Sequence, residues 1–337
     1  MPETEVLIVG GGSIGERHLR TFIQTGDVAA SICEPREEKL AELGQQYDVA
    51  GTFPSFDDAP LDDFDAVVIC TPPNLHIPMA RKAVDANCHI LVEKPLSLDL
   101  NGVDELIGLT REKGLVAGVA YVLRHTPLFV RMKEKLDSGM IGRLRIVSIK
   151  SGQEFARYRP DYRNIYFAKK AMGGGAINDA VSHLLNYVQW CLGREHEVCC
   201  MYDRLSDMEI ETEDCAFLTL RFDDGIIAQI QQNLFQKDYQ IYIEFVGSEG
   251  TLRVGGGLQQ GSARPQIGFL KSEASGWEVE TIPAYERDDT FVAQARNFLR
   301  AIANEEEIRT SLEEGRRTLE VCLKAKESYD TKKIAQL

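Results

Sequence analysis

In the first third of the chain, short apolar runs alternate with segments whose apolar residues recur at helical spacing. Apolar runs of this length are typical of strands buried on both faces of a parallel sheet, and the segments between them are typical of covering helices. We predict strands at 5–9, 29–33, 66–70, 89–92 and 115–120, and helices at 16–25, 76–86 and 99–113. The alternation predicts a doubly wound α/β domain over residues 1–122.

After about residue 122 the pattern changes, because long stretches now alternate with the period of strands. We predict helices at 127–137, 176–191, 289–304 and 312–328, strands at 143–151 and over most of 197–254, turns at 223–225 and 247–250, and a surface loop at 255–261. The turns indicate consecutive antiparallel strands. Residues 123–337 are therefore expected to form an α+β domain with a large, mostly antiparallel open sheet.

Composition narrows the class of protein. A length of 337 residues suits two domains, and a net charge of −14 disfavours nucleic acid as a partner because phosphate would be repelled. No run approaches the roughly 18 apolar residues of a membrane helix, and the start of the chain lacks the basic segment of a signal peptide. The eight cysteines are scattered without metal-ligand spacing. We expect a cytoplasmic protein with reduced thiols and no metal site.

The stretch Gly10–Gly15 reads G-G-G-S-I-G and satisfies the pattern G-x-G-x-x-G. It follows a predicted strand and opens a helix, which is the context that marks a Rossmann dinucleotide-binding loop. The glycines permit the tight turn, the approach of a pyrophosphate and close helix–strand packing. We expect the cofactor to be bound by Gly10, Gly12, Ser13, Ile14 and Gly15.

Two charged residues follow the second predicted strand, where the ribose of a dinucleotide would lie. Glu34 would accept hydrogen bonds from the ribose hydroxyls and repel a 2′-phosphate, which favours NAD. Arg36 could accommodate a 2′-phosphate instead, so NADP is kept as the less favoured cofactor.

Three residues further along suit hydride-transfer chemistry. Lys94 follows a predicted strand, so it is expected at the carboxyl edge of the sheet, near the cofactor. Asp179 and His183 are four residues apart on a predicted helix and share one face. We expect Lys94, Asp179 and His183 to converge where the two domains meet.

Several motifs together resemble the glucose-fructose oxidoreductase/inositol dehydrogenase family, known as Gfo/Idh/MocA. They are G-G-G-S-I-G at 10–15, T-P-P-N-L-H at 71–76, E-K-P at 93–95, L-D-S-G-M-I-G at 136–142 and G-G-G-A-I-N-D-A-V-S-H at 173–183. The resemblance covers nearly the whole chain. Asn178, Ala180 and Val181 depart from the commoner pattern, and Leu123 replaces the asparagine of N-R-x-x-P, which puts the substrate in doubt.

The resemblance implies roles for individual residues. Lys94 would polarise the substrate oxygen, His183 would exchange the hydroxyl proton, and Asp179 would orient the substrate or His183. The cofactor would be lined by Thr71, Pro72, Asn74, His76, Glu93 and Lys94. Members often have a cis peptide before the proline of E-K-P, so Lys94–Pro95 is expected to be cis.

The implied activity is an NAD(H)-dependent oxidoreductase acting on a hydroxyl or keto group of a sugar, polyol, sugar acid or nucleotide sugar. Two alternatives stay open, namely a reductase of a non-sugar carbonyl and an NAD-binding regulator without turnover. The direction of the reaction and the exact substrate are left open as well. A homodimer or homotetramer is expected because residues 217–245 carry apolar side chains on both faces of the predicted sheet.

Residues 155–170 form a basic, aromatic segment just before the triple glycine. We expect the substrate to be bound by Arg124, Arg157, Tyr158, Arg159, Tyr162 and Arg163. Arginine forks bind phosphate or carboxylate, so this segment favours an anionic substrate over a neutral sugar. The alternative is that these arginines pair with acids across a subunit contact.

Overall fold

The computed structural model describes residues 4–255 and 264–337. The predicted loop at 255–261 therefore lies, beyond Gly255, outside the described residues. The helices are α1 (Ser13–Ile23), α2 (Glu37–Gln46), α3 (His76–Asp85), α4 (Val103–Glu112), α5 (Pro127–Asp137), α6 (Phe155–Tyr158), α7 (Ser182–Leu192), α8 (Arg287–Ile302) and α9 (Leu312–Thr331).

Fifteen strands are assigned within the described residues. They are β1 (Thr4–Val9), β2 (Val28–Cys33), β3 (Gly51–Phe53), β4 (Ala66–Ile69), β5 (His89–Val92), β6 (Ala117–Val119), β7 (Leu144–Glu154), β8 (Glu195–Asp203), β9 (Cys215–Phe222), β10 (Ile227–Asn233), β11 (Phe235–Gly247), β12 (Gly250–Val254), β13 (Gln266–Lys271), β14 (Glu278–Thr281) and β15 (Ala335–Gln336).

The chain divides into two compact units, and the division is not continuous along the sequence. The first unit comprises Met1–His125 and Glu286–Arg317, and the second comprises Thr126–Tyr285 and Thr318–Leu337. The sequence placed 123–337 in one domain, but α8 belongs to the first unit. The reason is packing, since Phe298 of α8 meets Phe22 of α1 at 6.3 Å between ring centroids.

The first unit is a Rossmann domain with six parallel strands in the order β3-β2-β1-β4-β5-β6. Strands β1 and β4 lie in the middle of the sheet, and every residue of β4 is buried. The sequence analysis did not predict α2 and β3. Their pattern is weak, because Leu43 is the one buried residue of α2 and no residue of β3 is buried.

The second unit is built on a nine-stranded sheet in the order β14-β13-β12-β11-β7-β10-β9-β8-β15. All pairs are antiparallel except β7 with β10, which run parallel. The two predicted turns, at 223–225 and 247–250, each join consecutive antiparallel strands, as expected. Strands β10 and β11 are not neighbours, because β7 lies between them. Helices α5 and α7 cover the sheet, with Tyr187 meeting Phe129 at 4.8 Å and Phe245 at 6.4 Å between ring centroids.

The two faces of this sheet differ in polarity more than the sequence suggested. In β9, three buried residues alternate with three exposed ones: Leu218, Leu220 and Phe222 against Phe217, Thr219 and Arg221. The covered face is thus apolar, whereas the other face mixes apolar, polar and charged side chains. Among the described helices, none has both the length and the apolar character needed to cross a membrane.

Candidate active site

The carboxyl ends of β1, β2, β4 and β5 form one edge of the first sheet, which we call the cofactor edge. Val9 is level with both Cys33 and Ile69, and Ile69 is level with Val92. The residues that follow these strands are therefore neighbours along the edge. The strand order reverses between β1 and β4, which is where nucleotides bind in doubly wound sheets.

The glycine loop at this edge brings α1 so close to β1 that a side chain would not fit at some of its positions. A Cβ atom on Gly15 would lie 1.7 Å from the Gly10 carbonyl oxygen, so only glycine lets α1 start this close to β1. A Cβ on Gly12 would meet no atom within 4 Å. Gly12 thus faces open space at the N-terminus of α1, beside exposed Ser13. That arrangement fits the pyrophosphate of a dinucleotide.

Glu34 is buried at the end of β2 and is tied to the glycine loop. Its carboxylate accepts the Gly11 N–H at 2.7 Å and two hydrogen bonds from the Arg36 side chain, at 2.7 and 3.1 Å. Burial alone would raise the pKa of Glu34, but these hydrogen bonds and one from the Arg36 N–H hold it below its ordinary value. An ionised carboxylate therefore stands where the ribose hydroxyls are expected.

The turn after β4 carries Thr71, Pro72 and Asn74, of which Pro72 and Asn74 are exposed and Thr71 is partly exposed. His76 differs, because it is 1% exposed and its ring is held between two main-chain carbonyls. Its Nε2 lies 2.8 Å from the Thr71 oxygen and its Nδ1 lies 3.0 Å from the Pro95 oxygen. His76 therefore joins two turns of the cofactor edge. Burial lowers its pKa.

Lys94 is partly exposed, although the residues on both sides of it are buried. The Lys94–Pro95 peptide is cis, as expected. Glu93 is buried, and one of its carboxylate oxygens accepts the Lys94 N–H at 3.0 Å. The other lies 2.8 Å from Nε2 of His18, a buried residue of α1. Glu93 thus holds the main chain at Lys94, and His18 is a contributor that the sequence analysis missed.

In the second unit, residues 173–183 form what we call the Asp179 turn. One turn of π-helix, Ile177–Val181, leads into α7. Most of this stretch is buried, but Gly173, Asp179, Ala180 and His183 are partly exposed. The predicted spacing of four residues therefore runs from a π turn into α7, and π turns are frequent at functional sites.

Buried polar contacts hold the Asp179 turn in place. The carboxylate of buried Glu213 accepts the Ile177 N–H at 3.0 Å, and the Asn178 side chain donates to the Gly173 carbonyl at 2.9 Å. The Tyr166 hydroxyl donates to the Asp179 carboxylate. Sequence reasoning missed Glu213 and Tyr166 as contributors. Tyr166 was visible as one more tyrosine of the basic segment, whereas Glu213 carried no local signal.

The residues expected to bind substrate fall into two groups. Arg124 is 1% exposed and donates to the Arg309 carbonyl at 2.7 Å and to Glu314 at 2.6 Å, so it braces the first unit. Tyr162 is buried in a small core with Phe155 and Phe167. These two are therefore poor candidates for substrate contact.

The other residues expected to bind substrate lie at least partly at the surface. Arg163 is paired with Glu209 and stacks on the Tyr162 ring. Arg157 and Tyr158 are exposed, and Arg159 is partly exposed. Arg163 thus pairs with an acid of its own chain, whereas the sequence analysis considered pairing with acids across a subunit contact.

Within 4–255 and 264–337, no group of three or more His, Cys, Asp or Glu residues is arranged to hold a metal ion.

Comparison with known families matches both parts of the chain. Residues 4–121 match the profile described as "Oxidoreductase family, NAD-binding Rossmann fold", and residues 129–253 match the GFO/IDH/MocA C-terminal domain.

Individual relatives are distant but extend over much of the chain. It is 25% identical to a myo-inositol 2-dehydrogenase of Thermotoga maritima, over 98% of this chain and 97% of that one. It is 26% identical to a 1,5-anhydro-D-fructose reductase of Ensifer adhaerens, over 73% and 74%. A levoglucosan dehydrogenase in complex with NADH and levoglucosan has the same fold, with a TM-score of 0.87 at 20% identity over 99% of each chain.

Proposed function

The chain belongs to the Gfo/Idh/MocA family of NAD-dependent oxidoreductases, and we propose that it interconverts a secondary alcohol and a ketone on a sugar, polyol, sugar acid or nucleotide sugar. The protein is an NAD(H)-dependent dehydrogenase of this family. The substrate class is inferred from relatives named for inositol, anhydrofructose and levoglucosan.

One observation supports the proposal above the others. Lys94, Asp179 and His183 are each partly exposed within segments whose other residues are largely buried. Buried surroundings fix the main chain at these positions while the side chains stay accessible, as chemistry on a diffusing substrate requires. The partly exposed positions thus include an ammonium, a carboxylate and an imidazole.

Each group is assigned a step in oxidation. His183 takes the hydroxyl proton, because an imidazole titrates near neutral pH and serves as base in one direction and acid in the other. The Lys94 ammonium stabilises negative charge that develops on the substrate oxygen. Asp179 orients the hydroxyl or His183. A bound NAD would supply the acceptor for the hydride that leaves the carbon.

The experiment is a turnover screen with NAD or NADH against inositols, anhydro sugars, sugar acids, nucleotide sugars and their keto forms. On the active substrate, Lys94→Ala and His183→Ala are expected to lower kcat by on the order of 100-fold or more. The Kd for NADH should change little, because neither role involves the phosphates. Near-normal turnover in both variants would contradict the assigned roles.

The same screen separates the alternatives. Turnover confined to diketones or other non-sugar carbonyls would replace the substrate class while keeping the reaction. Tight NADH binding with no turnover of any compound would instead indicate a regulator that reads the nucleotide.

An anionic substrate is a narrower proposal, and Arg157 and Arg159 now carry it. In the basic segment, Arg157 is exposed and Arg159 is partly exposed. The side chain of Arg163 forms an ion pair with Glu209. Arg157→Ala and Arg159→Ala should lower kcat/KM on sugar acids or nucleotide sugars and spare neutral sugars. An equal loss on both classes would contradict the proposal.

We also propose a homodimer or homotetramer formed through the uncovered face of the second sheet. This face carries exposed apolar residues, and cross-strand pairing places Met201 (68% exposed) level with Phe217 (45% exposed). Covering such a patch with a second copy removes it from water. Light scattering at micromolar concentration tests this, and a monomer would contradict it.

A cytoplasmic location is proposed as well. All eight cysteines carry free thiols, and six of them are buried. Unpaired cysteines are the usual state of a protein kept in a reducing compartment.

A further inference from the structure

The Tyr166–Asp179 hydrogen bond joins two segments whose main chains are already held by other contacts. Tyr166 opens a short 3₁₀ turn, Tyr166–Ala168, and its hydroxyl donates to one oxygen of the Asp179 carboxylate. Both side chains are partly exposed. Both residues of this contact belong to the second unit.

The main chain of the tyrosine segment is held against the triple glycine. A Cβ on Gly174 would lie 2.1 Å from the Phe167 carbonyl oxygen and 2.5 Å from that of Tyr166. The Thr212 hydroxyl donates to the same Phe167 oxygen at 2.8 Å, and the Phe167 ring is fully buried. Gly174 is thus explained by the close approach of this segment.

The other end of the bond is equally constrained. The Asp179 N–H donates to the Gly175 carbonyl at 3.0 Å, and Glu213 holds the Ile177 N–H. A Cβ on Gly175 would lie 2.4 Å from the Glu213 carboxylate, so glycine is needed there too. A hydrogen bond between two rigid segments fixes the rotation of the carboxylate, because neither partner can move to follow the other.

We infer that Tyr166 is a positioning residue for Asp179: its hydroxyl fixes one carboxylate oxygen and thereby sets the direction of the second. The inference rests on the proposed function, in which Asp179 orients the substrate hydroxyl or His183. It adds a residue that neither the motif at 173–183 nor the choice of substrate class identifies. The expected consequence is a contribution to turnover that operates through Asp179.

The test is a double-mutant cycle of Tyr166→Phe and Asp179→Asn, measured on the active substrate. Tyr166→Phe keeps the ring and removes the hydroxyl, and it should lower kcat by ~10- to 100-fold, as loss of a hydrogen bond to a charged group predicts. In the Asp179→Asn background the same change should have little further effect, because the interaction it removes is already altered. The Kd for NADH and the Tm should stay near wild type.

Tyr202→Phe is the matched control, since the Tyr202 ring packs on Tyr329 in the same unit. It should leave kcat unchanged. Additive effects of Tyr166→Phe and Asp179→Asn would overturn the inference, and so would an unchanged kcat in Tyr166→Phe.

A second measurement does not depend on turnover. A crystal structure of Tyr166→Phe should show the Asp179 carboxylate rotated or in several orientations, whereas an Asp179 side chain that keeps a single unchanged conformation would overturn the inference. Absence of turnover in the wild-type protein would contradict the proposed function, and the crystallographic result would still decide the role of Tyr166.

Discussion

The glycine loop at the cofactor edge of the first unit is shaped by main-chain geometry, whereas the Asp179 turn of the second unit depends in addition on side chains from distant segments. At the edge, Gly10, Gly12 and Gly15 define the loop by leaving out side chains. At the turn, Glu213 and Tyr166 supply hydrogen bonds from positions that are separate in sequence.

This difference follows from what each region would bind. A pyrophosphate is common to every dinucleotide, so main-chain N–H groups and a helix terminus suffice to bind it. A sugar-like substrate offers hydroxyl groups in an arrangement that varies between compounds, so oriented side chains are needed to distinguish them. Changes at the edge should therefore act on NADH binding, and changes at the turn should act on turnover.

The largest expected effect is that of Gly15→Ala on NADH binding. The new Cβ would lie 1.7 Å from a main-chain oxygen, which cannot move without displacing β1 or α1. The Kd for NADH should rise by on the order of 100-fold, and the Tm should fall. Gly12→Ala is the matched control, because its Cβ has no neighbour within 4 Å and should leave the Tm unchanged. Normal NADH binding by Gly15→Ala would show that the loop is not fixed by packing.

The cofactor edge was more predictable from sequence than the Asp179 turn, because most of its features depend on neighbouring residues in the chain. Apolar runs and glycine spacing are local signals, so the strands, the loop and Glu34 could be found without knowing the fold. At the turn, Glu213 acts on Ile177 only after the chain has folded, and this partner has no local pattern. At the edge, the contact of His18 with Glu93 went unpredicted for the same reason. Arg124 shows the opposite failure, because it matched a motif yet is buried against Arg309 and Glu314.

The next effect in size is that of Glu213→Ala on turnover. Losing the bond to the Ile177 N–H resembles loss of a helix cap, about 0.5–2 kcal/mol, and should lower kcat by roughly tenfold as the turn loosens. Glu213→Gln keeps an acceptor oxygen and should retain most of the activity. The Kd for NADH should be the same in both variants. A raised Kd for NADH would break the distinction between the two regions.

A smaller effect is expected from Glu34→Gln on the choice of cofactor. The change removes the negative charge beside the ribose and releases Arg36, so the preference for NADH over NADPH should fall by roughly three- to tenfold. Because hydrogen bonds hold the pKa of Glu34 below its ordinary value of 4.5, the wild-type preference should persist through neutral and mildly acidic pH. Initial rates with each cofactor measure this, and an unchanged ratio would remove Glu34 from the selection of cofactor.

The smallest effect is expected from Arg163→Ala, although Arg163 belongs to the basic segment beside the Asp179 turn. Its side chain is 51% exposed and that of its partner Glu209 is 73% exposed. Exposed pairs of this kind contribute about 0–1 kcal/mol, so kcat/KM should change by less than about threefold on charged and neutral substrates alike. Arg157→Ala provides the contrast, because Arg157 is exposed and forms no ion pair within the described residues. A large loss of kcat/KM for Arg163→Ala on anionic substrates alone would show that Arg163 leaves Glu209 to bind the ligand. Residues of the basic segment that pair within the chain would then also recognise the substrate.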